Sequence, residues 1–150
     1  MILTQKETML LNDMMTQEQT CVDKYNFYAE KASDPQLKSL FTSLAQKEQQ
    51  HYDTLNQMSK GTVPQMQAGG AQQSKPQFQP KTQGAQMPNQ GDAFLCQDLL
   101  STEKHVSSAY NTAIFEFRDA GMRNALNHIQ KEEQEHGKQL YDYMAQHGAY

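Results

Sequence analysis

The sequence predicts an all-α fold, a four-helix bundle made of two repeated helical hairpins joined by a long crossover. Three observations predict it. Apolar residues recur at helical spacing along four stretches, 1–32, 36–58, 92–117 and 122–146. Residues 10–58 repeat without a gap as 95–143, matching Leu10 with Leu95, Asp13 with Asp98, Tyr25 with Tyr110, Asn26 with Asn111, Gln49 with Gln134 and Leu55 with Leu140. A compositionally distinct segment, 60–91, separates the two copies. Two copies of a hairpin close into a bundle, whereas a solenoid needs more repeats.

Each element has a local reason. The first helix stops at Asp34-Pro35, where Asp can cap and Pro suits the first turn of the next helix. Gly121 marks the turn between the third and fourth helices, and His147-Gly148 ends the fourth. In 60–91, eighteen of 32 residues are Gln, Gly or Pro and only Lys60, Lys75 and Lys81 are charged, so a poorly ordered linker is expected. It has a geometric task. The second helix is about 35 Å long. If helices two and three are parallel, the chain must return that full length, and a coil of 32 residues reaches roughly 100 Å. The whole chain is expected to form one domain, with hairpins 1–58 and 92–150 and a crossover at 59–91.

Composition removes several classes of function. The net charge is −4 with no basic block, which excludes a dedicated nucleic-acid surface. Met1–Thr8 has no apolar run of signal-peptide length, and no stretch approaches the roughly 20 residues of a membrane span. Synthesis in the cytosol and no membrane partner are therefore expected. Cys21 and Cys96 fall opposite Val106 and Leu11 in the repeat and read as small buried hydrophobes, not as a disulfide. They lack the Cys-x-x-Cys spacing of a zinc or iron–sulfur site.

The same offset carries the chemistry. Glu18 is followed thirty positions on by Glu48-x-x-His51, and Glu103 is followed thirty positions on by Glu133-x-x-His136. With nine Glu and five His in the chain, random placement gives about 0.3 Glu-x-x-His matches. Two matches with the same upstream Glu are far beyond that. Two helices with a lone Glu and two with Glu-x-x-His are the ligand set with which four-helix bundles hold a metal pair. All four Glu also fall on the apolar stripe of their helices, Glu18 between Met14 and Val22, Glu48 between Leu44 and Leu55, Glu103 between Leu99 and Val106, and Glu133 between Ile129 and Leu140. Any one could be a stripe-edge residue reaching solvent. Four at matching depth cannot, because burying four carboxylates together costs many kcal/mol without cations. The expected metal ligands are Glu18, Glu48, His51, Glu103, Glu133 and His136, around two metal ions, with Fe first and Mn or Zn also suited by ligand type. One carboxylate from each half would bridge the ions. Tyr25 and Tyr110 lie two turns beyond the lone Glu of each half; they are either core aromatics or phenols that hydrogen-bond a ligand carboxylate. His105, His128 and His147 have no repeat partner and read as surface residues. Glu132 and Glu135 are expected to point away from the core.

With these residues in place, the chain resembles the ferritin-like superfamily of rubrerythrins, bacterioferritins and manganese catalases, whose ligand pattern the six positions match. The second half, from Leu99-Leu100-Ser101-Thr102-Glu103 to the ending Tyr143-Met-x-x-x-Gly148-x-Tyr150, is similar to the spore coat protein F family over roughly residues 92–150. The resemblance implies a ferritin-like bundle, association with the spore coat and other coat proteins as partners, with a homo-oligomer as a further partner. It also implies a di-iron or di-manganese oxidoreductase of the peroxidase or catalase kind, against a purely structural coat component. Rubredoxin-type cysteines are missing, so reduction would need an external electron donor. No fifth helix is evident, so a storage cage is not expected.

Overall fold

The computed structural model describes residues 1–66 and 90–150. It contains α1 (Gln5–Lys31), α2 (Pro35–Ser59), α3 (Gln90–Glu116) and α4 (Ala120–Gln146), an all-α four-helix bundle. The helices start where the chemistry of their caps puts them. Thr4 caps α1 in a reciprocal box with Glu7: Glu7 N donates to Thr4 Oγ1 at 3.0 Å and Thr4 N to Glu7 Oε1 at 2.8 Å. Residues 1–4 therefore lie outside the helix expected to begin at residue 1. Asp34 and Asp119, 85 positions apart, cap α2 and α4 by accepting from Gln36 N and Met122 N.

Three-residue turns make α1 antiparallel to α2 and α3 antiparallel to α4. Between hairpins, Glu18 meets Tyr110 while Tyr28 meets Asp98, so α1 also runs antiparallel to α3. Hence α2 and α3 are parallel. The linker reading is corrected at both ends. Gln90 and Gly91 already belong to α3. At the other end Gly61 takes φ 81° to leave α2, and Met66 packs on the core. Val63 lies against Gly121, where a Cβ would collide with its Cγ1. The remainder of the expected linker, 67–89, lies outside the described residues.

The core is two apolar clusters, one toward each end of the bundle. One holds Leu11, Met14, Leu55, Met58, Tyr110, Met122, Leu126 and Ile129. The other holds Cys96, Leu99, Leu140, Tyr143, Tyr25, Leu37, Phe41 and Leu44. Written in this order, each residue of the first cluster is 85 positions from its counterpart in the second. The repeat thus exchanges the two ends of the bundle, and the glutamates fall between them.

Two buried carboxylates lock the hairpins together in the same symmetric way. Glu7 reaches the α3–α4 turn, where Oε2 accepts from Arg118 N at 3.2 Å. Asp92 reaches the α1–α2 turn, accepting from Ser33 N at 2.8 Å and Asp34 N at 3.0 Å. Glu7 and Asp92, like Ser33 and Arg118, are 85 positions apart. Burial pushes the Glu7 carboxyl up, but the backbone donors of Thr4 and Arg118 outweigh burial and hold it below the usual carboxylate value. A lowered folded-state pKa gives stability that is present above the unfolded value, near about 4.3, and is lost as the pH falls through the folded one. Glu7→Gln should therefore cost about 1–2 kcal/mol at neutral pH. Urea melts should show a smaller cost at about pH 3, below the unfolded carboxyl's value, where the linked stability is being lost; an undiminished difference would remove its charge as the cause.

Candidate metal centre

Between the two apolar clusters, each helix contributes its mid-length Glu. Glu18, Glu48, Glu103 and Glu133 are at most 3% exposed, and His51 and His136 each 2%. The six residues singled out in the sequence thus converge. They form two overlapping groups, Glu18/Glu48/His51/Glu133 and Glu48/Glu103/Glu133/His136, and within each group one ligand atom per residue lies within 4.8 Å of the others. Glu48 and Glu133 belong to both. The reason is local: in Glu-x-x-His the two side chains are one turn apart and project together from α2 and from α4.

Both imidazoles aim Nδ1 into the carboxylates. His51 Nδ1 is 3.0 Å from Glu133 Oε1 and 3.7 Å from both Glu18 Oε2 and Glu48 Oε2. His136 Nδ1 is 2.6 Å from Glu48 Oε1, 3.3 Å from Glu103 Oε1 and 3.4 Å from Glu133 Oε2. The rings stack with centroids 5.7 Å apart. The phenols are buried in the core and also hydrogen-bonded: Tyr25 donates to Glu103 Oε1 and Tyr110 to Glu18 Oε1, both at 2.5 Å. Each tyrosine serves the glutamate of the other hairpin, so these bonds also join α1 to α3.

Charges this close shift one another. Burial raises the carboxyls of Glu18 and Glu103, and the charge of Glu133 raises them further. Burial works against charged imidazoles, yet hydrogen bonds to the carboxylates hold His51 and His136 well above the usual histidine value. At Glu133 burial and Glu48 push upward, but bonds from Glu103, His136 and His51 prevail and lower it. Burial, then the adjacent carboxylates, keep Tyr25 and Tyr110 protonated and therefore donors. Without metal, the centre is held together by protons.

Protons do not complete it. Glu18 Oε2, both oxygens of Glu48, Glu103 Oε2 and Glu133 Oε2 are buried without a hydrogen-bond partner. Glu48 Oε1 is close to His136 Nδ1 but lacks the alignment of a hydrogen bond. Five orphaned carboxylate oxygens and two inward Nδ1 atoms are a donor set that could hold divalent cations.

Two residues differ from the sequence reading. Glu132, expected to point away from the core, places Oε1 3.1 Å from His51 Nε2. Its long side chain reaches back over the helix edge while its other oxygen meets Lys47 Nζ at 3.1 Å. Burial raises the Glu132 carboxyl, but His51 and Lys47 outweigh burial and hold it at about 2. His147, expected at the surface, is 8% exposed. It stacks on Tyr143 at 4.3 Å and donates Nδ1–H to the Tyr143 carbonyl, because the last turn of α4 folds over the α1–α2 turn. His105 and His128 are exposed as expected. Cys21 and Cys96 are free and buried, with burial pushing both thiols up, that of Cys96 to about 12.

Residues 91–150 match the family described as the Coat F domain. Over 79 residues the chain is 33% identical to the uncharacterized protein YusN of Bacillus subtilis (strain 168), an alignment covering 53% of this chain and 72% of that protein. The chain belongs to the Coat F family. The Coat F segment is the second hairpin, so it brings Glu133 to the first group, Glu103, Glu133 and His136 to the second, and with them Tyr110 and Glu132, the carboxylate that contacts His51. No helix among the described residues is long and apolar enough to cross a membrane.

The crossed tyrosines give a paired prediction. Tyr25→Phe and Tyr110→Phe should each destabilise the metal-free protein by about 1–2 kcal/mol, since each strips a donor from a buried carboxylate. Denaturant melts should find the two losses similar. A loss at one position alone would break their equivalence.

Proposed function

We propose that this chain is a spore coat-associated, ferritin-like protein that holds two metal ions in mid-bundle and acts there on peroxide or oxygen. The observation that carries metal binding is the set of five buried carboxylate oxygens that accept no aligned hydrogen bond and are shared between two overlapping groups around His51 and His136. Membership of the Coat F family supports the coat association and other coat proteins as partners.

Glu18 and His51 would serve one ion, Glu103 and His136 the other, and Glu48 and Glu133 would bridge them. Iron is the first choice, and manganese or zinc suit the same ligands. When bound, a redox-active pair supplies electron exchange with peroxide or oxygen. The chain's own groups do the rest. Tyr25 and Tyr110 fix the orientation of Glu103 and Glu18. The clusters above and below exclude bulk water. The raised carboxyls and imidazoles release their protons as ions enter, so uptake strengthens with pH. Cys21 and Cys96 are single buried thiols on different helices, so electrons would come from an external donor. A purely structural role in the coat, with ions bracing the bundle, shares this ligand set and differs by lacking turnover.

Protein purified from its own host should contain about two ions per chain, spaced about 3.5–4 Å apart as in other two-metal sites, and should consume peroxide. Glu48→Ala combined with Glu133→Ala should lose both ions. Its metal-free form should be no less stable than metal-free wild type, because the exchange removes buried charge.

Fe(II) or Mn(II) should raise the melting temperature of the wild type, since an ion that binds only the native state stabilises it. The rise should be larger at about pH 8 than at about pH 6. Glu18, Glu103, His51 and His136 all have folded-state values above their unfolded ones. Their contribution to the metal-free protein is complete below the unfolded values and is lost as pH rises through the folded ones. The metal-free protein therefore weakens with pH while uptake strengthens. No metal-dependent shift at either pH would defeat the metal-site reading and leave the structural coat role. Metal uptake without peroxide consumption would leave the bracing role.

A further inference from the structure

The repeat that makes the two ligand groups alike also shows where they differ. Lys47 and Glu132 occupy equivalent positions, each immediately before its bridging glutamate, 85 residues apart. They meet directly, Lys47 Nζ lying 3.1 Å from Glu132 Oε2. The exchange of charge between them has an effect one residue further in. Glu132 Oε1 lies 3.1 Å from His51 Nε2, the ring nitrogen that faces away from the centre. The equivalent of Glu132 for His136 is Lys47. An imidazole with Nδ1 committed to a metal carries its proton on Nε2 and needs an acceptor there, whereas an ammonium only donates. So His51 can be backed by a carboxylate and His136 cannot be backed by the residue in the same position.

A carboxylate behind a ligating histidine fixes its tautomer and ring orientation and makes it a more basic ligand. Glu132 is itself held from two further directions, by Lys47 and by His128 Nε2 at 3.2 Å. It is only 17% exposed at its side chain, so it is preorganised for this. We propose that the two halves of the centre are unequal, the group Glu18/Glu48/His51/Glu133 binding its ion first and more tightly, with Glu132 as the positioning residue that sets the difference. This rests on the metal-binding reading above and adds the order of loading to it.

The test is Mn(II) titration of the full chain, followed by calorimetry, with anomalous diffraction from crystals grown at one equivalent of Mn(II). The wild type should show two affinities, and at one equivalent the density should concentrate beside His51. Glu132→Gln should weaken the tighter step about tenfold or more and spread the density over both positions. Lys47→Gln removes the ion pair but leaves the bond to His51, so it should preserve the tighter step and the order. Equal weakening in both variants would mean that the ion pair sets the affinity, and would overturn the assignment to the His51 bond. Even occupancy at one equivalent in the wild type would overturn the inequality itself, whatever the variants do, while leaving metal binding intact. No Mn(II) uptake by the wild type would overturn both the inequality and the metal-binding reading beneath it.

Discussion

Four carboxylates meeting in a dry helical core are the constraint on which this structure depends. Isolated, each would cost several kcal/mol to bury in its charged form. Here none is isolated. Two imidazoles and two phenols surround them, and their ion pairs among the described residues are with histidine, not with lysine or arginine. That choice matters. A buried lysine would neutralise a carboxylate permanently and occupy its lone pairs. A histidine can give its proton up to an entering cation and then become a ligand itself. The centre is thus compensated in a way that can be undone by a cation.

The remainder of the fold serves to hold that arrangement. The apolar clusters at the two ends fix the helices, and the clamps from Glu7 and Asp92 tie each hairpin's first turn to the other hairpin's connection. The tyrosine bonds tie the hairpins again at the middle. Every one of these contacts occurs twice and links one half to the other. The centre lies where the symmetric contacts meet, so displacing either hairpin would separate Glu48 from Glu133.

Much of this was legible in the sequence because one offset governs it. Six candidate ligands and two tyrosines share the spacing of 85, and their residue types are those of a carboxylate and histidine cluster. What the sequence hid has physical reasons. Glu7 and Asp92 obey the same offset, but they differ in residue type and stand in first helical turns, where acidic residues are common for the helix dipole alone. Glu132 was missed because helical geometry sets it about 100° around from Glu133. Its position says surface, while its side chain is long enough to turn back to His51. His147 follows the last helical residue and has no repeat partner, so nothing in the pattern signalled that Tyr143 and the α1–α2 turn would cover it. The packing of Val63 and Met66 is similarly invisible in a segment whose composition reads as linker.

The Coat F match covers one hairpin, and each ligand group draws on two. A polypeptide limited to that hairpin would present Glu103, Glu133 and His136 on an open face beside Leu99 and Leu140, and could close it only by finding a second such face in solution. Occupancy of the centre would then depend on protein concentration. Here the second face belongs to the same chain, so its closure on the first is intramolecular. The duplicated chain therefore keeps its centre assembled at any dilution. It also frees the two faces to diverge, which identical subunits cannot do: the exchange of Lys47 for Glu132 is available only to a protein that carries both copies in one chain.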